Sequence, residues 1–181
     1  MNDGLIPGRY AKALYKYALE KNKSAAVYEE MKLLADAFEL RPDLQKIMAN
    51  PFVSRDDKEK LLLAAAGPDA DDDFKNFIRL ILNHNRESFA RQIALAYRGI
   101  YRKANNIAQV RITTAAKLGA DEMMKLRELV AKGFKGYTLE FSEAVNPELI
   151  GGFVIDVDST RMDASISNEI EQLRLNLLSR N

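Results

Sequence analysis

Apolar positions recur at helical spacing through the first hundred residues and at alternate positions after them. Tyr10, Ala13, Leu14, Tyr17 and Ala18 follow the i, i+3, i+4, i+7, i+8 template of one buried helix face, and Pro7 suits the first turn. A second helix is predicted over residues 25–40. Arg41-Pro42 stops it, and Pro42 can open a short segment to residue 49 before Asn50-Pro51 breaks the chain again. Ser54, followed by Asp57, reads as the N-cap of the helix carrying Leu61, Leu62 and Leu63, which Gly67-Pro68 ends. Asp71, Asp72 and Asp73 place negative charge where a helix start favours it, and Phe74, Phe77, Ile78, Ile81 and Leu82 form the stripe behind them. Ser88 then opens a long helix with Phe89, Ile93, Ala96, Tyr97 and Ile100 inward, ending at Asn105-Asn106. Six helices with short connections predict an N-terminal six-helix bundle over residues 1–105.

Beyond Asn106 the period drops to two. Ala108, Val110 and Ile112 oppose Gln109, Arg111 and Thr113, as a half-buried strand requires. A helix over 120–132 follows, then a strand in which Tyr137, Leu139 and Phe141 alternate with Thr138, Glu140 and Ser142. Phe153, Ile155 and Val157 make a third strand, and a last helix shows Ile166, Ile170, Leu173 and Leu177 on one face. The fold class is therefore α+β, with residues 106–181 forming a small C-terminal domain of strands and helices. Gly151-Gly152 precedes the third strand. A phosphate-binding loop places its glycines after a strand and before a helix, so this pair reads as a bulge or a tight strand entry.

Composition narrows the function classes. With 47% hydrophobic residues, the 181-residue chain can bury a real core. Twenty-seven basic residues against twenty-six acidic ones leave a net charge of +1, too little for a strong field toward nucleic acid or anionic lipid. The absence of cysteine excludes disulfides, thiolate metal sites and cysteine nucleophiles. The start of the chain, with Asp3 and Pro7, shows neither a secretory signal nor an Arg-rich transit peptide, and no segment reaches the ~20 apolar residues that span a bilayer. Membrane association is expected to be peripheral and carried by another protein.

Candidate chemistry is sparse. His84, the lone histidine, sits in Asn83-His84-Asn85-Arg86 at a helix end, where a polar cap explains it better than catalysis. Asp156 and Asp158 share a strand face but lack a third oxygen ligand at a recognisable spacing. Arg91, Arg98 and Arg102, with Lys103 nearby, make a basic helix face that supports an alternative reading as an RNA-binding helical regulator, although no aromatic platform accompanies them. No catalytic residue, cofactor or metal ligand is predicted. A sharper anomaly is Leu80, apolar yet well off the stripe of Phe74, Ile78 and Ile81. Tyr15 and Leu19 likewise widen the apolar face of the first helix. Such positions either pack against several bundle helices or line a groove for a partner helix.

Several blocks carry a family resemblance. They are Arg9-Tyr10-Ala11-Lys12-Ala13-Leu14; Asn50-Pro51-Phe52-Val53-Ser54 with Lys58 and Leu62; Asn76-Phe77-Ile78-Arg79-Leu80 with Asn85-Arg86; and the stretch from Asn146-Pro147 through Gly151-Gly152-Phe153 to Asp163-Ala164-Ser165-Ile166. Together, over nearly the whole chain, they resemble the delta subunit of F-type ATP synthases, the family that includes mitochondrial oligomycin-sensitivity-conferring protein. Ala164 departs from the glycine often found there, and Ser159-Thr160 from the usual charged or glycine-containing turn. The resemblance implies a non-catalytic stator subunit that links the catalytic head to the peripheral stalk so that ion-driven rotation is coupled to ATP synthesis. It also implies two partners. The N-terminal helix of an alpha subunit would lie against Tyr10, Leu14, Tyr17, Phe77, Leu80 and Ile81, and b-type stalk subunits would engage the end formed by Gly151, Gly152, Phe153, Asp163, Ser165 and Ile166. The implied location is the cytoplasmic face of a bacterial inner membrane, held there through the complex.

Overall fold

A computed structural model describes residues 5–68 and 70–178; Asp3 lies outside the described residues. The chain divides into two compact units, residues 1–104 and 105–181. Each has its own hydrophobic core.

The first unit contains α1 (Leu5–Glu20), α2 (Ser24–Leu40), α3 (Asp43–Ala49), α4 (Arg55–Ala66), α5 (Asp72–Asn83) and α6 (Ala90–Ala104), with a 3₁₀ turn at Glu87–Phe89. Both α1 and α2 pack along α6; α2 also meets α4, which meets α5. The contact sides are those with apolar period. Leu14 of α1, Met31 and Leu34 of α2, Leu62 of α4, Phe74 and Ile78 of α5, and Ile93 and Tyr97 of α6 are all sealed from solvent. Tyr97 brings its hydroxyl into this core and donates it to the Ser24 carbonyl at 3.1 Å, which satisfies the one polar atom the ring carries. Burial pushes its phenol well above the ordinary range.

Local signals act as their chemistry requires. Ser54 Oγ accepts the Asp57 N–H at 3.2 Å, and Asp71 accepts the Asp72 N–H at 2.9 Å at the start of α5. One boundary differs from the sequence expectation. Ser88 does not open an α-helix but lies inside the 3₁₀ turn, and α6 begins at Ala90. The turn is held from outside itself. Gln45 Nε2 donates to the Ser88 carbonyl at 2.9 Å, and Glu87 forms a buried ion pair with Lys58 of α4 at 2.8 Å.

The second unit is a four-stranded sheet ordered β2-β1-β3-β4, with β1 at Ile107–Thr114, β2 at Thr138–Val145, β3 at Gly152–Val157 and β4 at Thr160–Ser165. β1 and β2 run parallel, joined by α7 (Ala120–Gly133); β3 and β4 are antiparallel to their neighbours. Ala108, Val110 and Ile112 of β1 join Ile155 and Val157 of β3 and Met123 and Val130 of α7 in the core. Phe153, expected inward with its alternate neighbours, is only partly buried, whereas Val154 on the opposite face is buried. Three strands were expected and four are found. β4 contains a single large apolar residue, Met162, and its first five residues are exposed, so no alternating pattern announces it. It pairs with β3 at a sheet edge, where Arg161 also meets Asp156 across the ladder. α8 (Ile166–Leu178) ends the described chain.

Candidate partner-binding site

A groove of about 920 Å³ opens between α1 and α5. Tyr10, Leu14, Tyr17, Phe77 and Leu80 line it together with Leu5, Ile6 and Ala13. Leu14 and Phe77 are the floor, since each also belongs to the core, while Tyr17 and Leu80 stand 43% and 45% exposed at the rim. Ile81, expected here, is placed elsewhere: it is 1% exposed and is not part of the lining. One residue along a helix turns a side chain by about 100°, and with Leu80 toward the groove Ile81 is carried round into the core.

The polar lining residues are Arg9, Asp73, Asn76 and Arg86, none of which the apolar period could indicate. Asp73 is fully engaged. Its two oxygens accept the Tyr17 hydroxyl at 2.8 Å and the Lys23 ammonium at 3.0 Å, and Lys23 also reaches Asp71 at 2.7 Å. Lys23, with Tyr17 adding to it, holds the Asp73 carboxyl below the usual carboxylate range. The bond to Asp73 raises the Tyr17 phenol, and the two carboxylates raise the Lys23 ammonium. This link ties the second half of α1 to the start of α5 and so fixes one end of the groove. Behind it, Glu30 of α2 is 8% exposed and accepts the Asp71 N–H at 2.6 Å, while its second oxygen has no hydrogen-bond partner among the described residues. Desolvation raises the Glu30 carboxyl.

At the other unit, Gly151, Gly152, Phe153, Asp163, Ser165 and Ile166 converge. Gly152 pairs with Ser165 and Phe153 with Ala164 across the β3–β4 ladder, and the Ile166 N–H donates to the Gly151 carbonyl at 3.1 Å. Gly152 has φ +73°, and a Cβ there would collide with the Ala164 carbonyl oxygen. Asp163 accepts the Ser165 hydroxyl at 2.6 Å and its N–H at 3.0 Å; Ser165 Oγ in turn accepts the Asn168 N–H in the first turn of α8. These bonds hold the Asp163 carboxyl below its ordinary value. Asp163 and Ser165 thus set where α8 leaves the sheet. No residue of α8 is fully buried: Ile166, Ile170, Leu173 and Leu177, spaced four, three and four apart, are 43%, 51%, 62% and 70% exposed. That spacing is the a/d repeat of a helix that packs against another helix.

The remaining candidates have local partners. His84 Nδ1 donates to the Leu80 carbonyl at 2.8 Å, at the C-cap of α5. Asp156 accepts from both Nε and Nη2 of Arg161, which lowers its carboxyl; Asp158 accepts the Gln109 N–H. Two of the basic side chains on α6 are engaged within the unit. Arg98 pairs with Asp36 at 3.3 Å, and Arg102 donates to the Tyr28 hydroxyl at 2.9 Å with its guanidinium over the Tyr28 ring. The RNA-binding reading finds no support in these contacts.

Residues 6–177 match the family described as ATP synthase delta (OSCP) subunit. The chain is 40% identical over 178 residues to the ATP synthase subunit delta of Parabacteroides distasonis, covering 98% of each. It is 36% identical over 179 residues to that of Phocaeicola vulgatus, covering 98% of this chain and 96% of the relative. Its fold is similar, at a TM-score of 0.74 and 20% identity, to a chain of the Toxoplasma gondii mitochondrial ATP synthase hexamer, with 95% of this chain and 97% of that one covered. A match that runs from α1 to α8 takes in both the groove and the uncovered helix, and the chain belongs to the ATP synthase delta (OSCP) subunit family.

Proposed function

We propose that the α1/α5 groove receives the N-terminal helix of the alpha subunit of the catalytic head and that the Gly151–Ile166 end, with α8, engages the b-type stalk subunits. Membership of the family makes the chain a non-catalytic stator component of ATP synthase. Its task is then mechanical. Rotation produces ATP only if the head is kept from turning with the rotor, which requires one body to grip head and stalk at once.

The observation that carries the reading is the groove itself: Leu14 and Phe77 as an apolar floor, Tyr17 and Leu80 as an apolar rim, in a trough whose α1 wall from Leu5 to Tyr17 is about 18 Å long. An amphipathic helix of three to four turns fits such a trough. The six helices of the first unit serve as its frame. On the other unit, the α8 repeat of Ile166, Ile170, Leu173 and Leu177 offers a seam for a stalk helix. No described helix is long and apolar enough to cross a membrane, which fits attachment to the cytoplasmic face of a bacterial inner membrane through the complex.

The test is calorimetric titration of the chain with a synthetic peptide of the alpha subunit's N-terminal segment, alongside amide chemical-shift mapping. Saturable binding with shifts concentrated in α1 and α5 is expected. Absence of binding, or shifts confined to α2 and α6, would overturn the assignment.

A further inference from the structure

We infer that the occupant of the α1/α5 groove carries acidic side chains at the end meeting Arg9 and Arg86, and that these two guanidiniums fix the direction in which it lies. The inference rests on the groove being the receiver of a partner helix and adds the charge pattern that helix must have.

The groove has unlike ends. At one, Asp73 is neutralised by Lys23 and bonded by Tyr17, so no free anion faces the occupant. On each wall the arginine stands away from that end. Arg9 precedes Tyr17 by two turns of α1, about 12 Å, and Arg86 lies just beyond the last turn of α5, which begins beside Asp73. Both arginines are exposed and neither forms a side-chain hydrogen bond or ion pair among the described residues, in contrast to Arg55, Arg79, Arg98, Arg127 and Arg161, which are all paired. A guanidinium keeps its charge at any working pH and favours planar carboxylates. An apolar helix closing over the groove would strip water from two unpaired cations unless it brought carboxylates to them. A basic residue at that end would be repelled. An occupant placed the other way round would bring its carboxylates to the end where Lys23 is already paired with Asp71 and Asp73, and would leave Arg9 and Arg86 unmatched. Electrostatic matching of this kind fixes register and excludes wrong orientations.

The experiment measures affinity of the alpha-subunit N-terminal peptide by calorimetry, for the wild-type chain and for Arg9→Glu/Arg86→Glu, Lys12→Glu and Leu80→Asp variants, at low and high salt. Lys12 is exposed on the same helix but outside the groove and controls for a general change of charge. The double reversal should weaken binding about tenfold or more at low salt, with a smaller deficit at high salt. Lys12→Glu should have little effect. A peptide whose acidic residues at one end are changed to Lys should bind the wild-type chain poorly and recover on the double-reversed chain, while changes at its other end should not rescue. If the double reversal leaves affinity intact while Leu80→Asp abolishes it, the groove stands and the charge polarity is wrong. If neither changes binding, the groove reading fails and the polarity with it. Rescue by the peptide altered at both ends equally would also overturn the fixed direction.

Discussion

Leu80 is apolar and half exposed on a helix whose Phe74, Phe77, Ile78, Ile81 and Leu82 are all buried. Its side chain contributes little to the core, so it separates binding from folding. Leu80→Asp should lower affinity for the alpha-subunit peptide by about 2 kcal/mol or more, as loss of an interface anchor does. Thermal stability should move by no more than about 0.5 kcal/mol, typical of a surface position. Parallel loss of both, measured by calorimetry and thermal unfolding, would place Leu80 in the core. Glu30 is the opposite case, a carboxyl buried behind the Tyr17–Asp73–Lys23 link with one oxygen unpartnered. Its pKa is raised in the folded state, mainly by desolvation, so the protonated form is favoured by folding. The associated stability is present in acid and is lost as pH rises through the folded value. Glu30→Gln, which stays neutral and keeps an acceptor for the Asp71 N–H, should therefore raise the melting temperature at pH 7. The gain should shrink as pH falls toward the ordinary glutamate range near 4.5. A difference that does not change with pH would show that Glu30 is stabilised by contacts indifferent to its charge.

Among the elements, the entry to β3 depends most on one residue. Gly152 combines φ +73° with close approach of the Ala164 carbonyl, so a side chain there is both strained and sterically opposed. Gly152→Val should destabilise the second unit by about 3 kcal/mol or more and weaken stalk-subunit binding, with alpha-peptide affinity near wild type. Equal loss at both ends would contradict two separable contacts; unchanged stalk binding would show that this glycine is dispensable there. The glycine pair was legible in the sequence because it stands just before an alternating run, and Ser54 because a cap needs only its own next three residues. β4 was not legible, since Thr160, Arg161 and Asp163 carry no apolar alternation and the strand is specified by pairing with β3. The groove was half legible for a related reason. Helical period marks Tyr10, Leu14, Tyr17 and Phe77, and Leu80 stands out as an apolar residue off that period, but Arg9, Asp73, Asn76 and Arg86 sit among ordinary surface positions until α1 and α5 are brought together. Ile81, which the resemblance placed in the groove, faces the core instead, because successive residues of a helix point about 100° apart. The face of α8 was visible as a repeat; that it stays exposed among the described residues was not.

At the scale of the whole molecule, the proposed link to two partners rests on two separate hydrophobic cores in one chain. One core runs from Ala11 to Tyr97 and the other from Ala108 to Val157, with no residue common to both. The helical period ends at Ala104, where α6 stops, and the strand period starts at Ile107. Every residue lining the groove belongs to the first unit. A fragment of residues 1–105 therefore contains the complete groove, the Tyr17–Asp73–Lys23 link that fixes one of its ends and the core beneath it. We expect it to unfold cooperatively and to bind the alpha-subunit peptide within about threefold of the full chain, roughly 0.6 kcal/mol, the range over which distant and independent parts remain additive. Differential scanning calorimetry and peptide titration of the fragment provide the check. A fragment without a cooperative transition would mean that the first core is insufficient alone. A folded fragment with strongly reduced affinity would mean that head binding draws on residues beyond Asn105, and the division of labour between the two units would have to be abandoned.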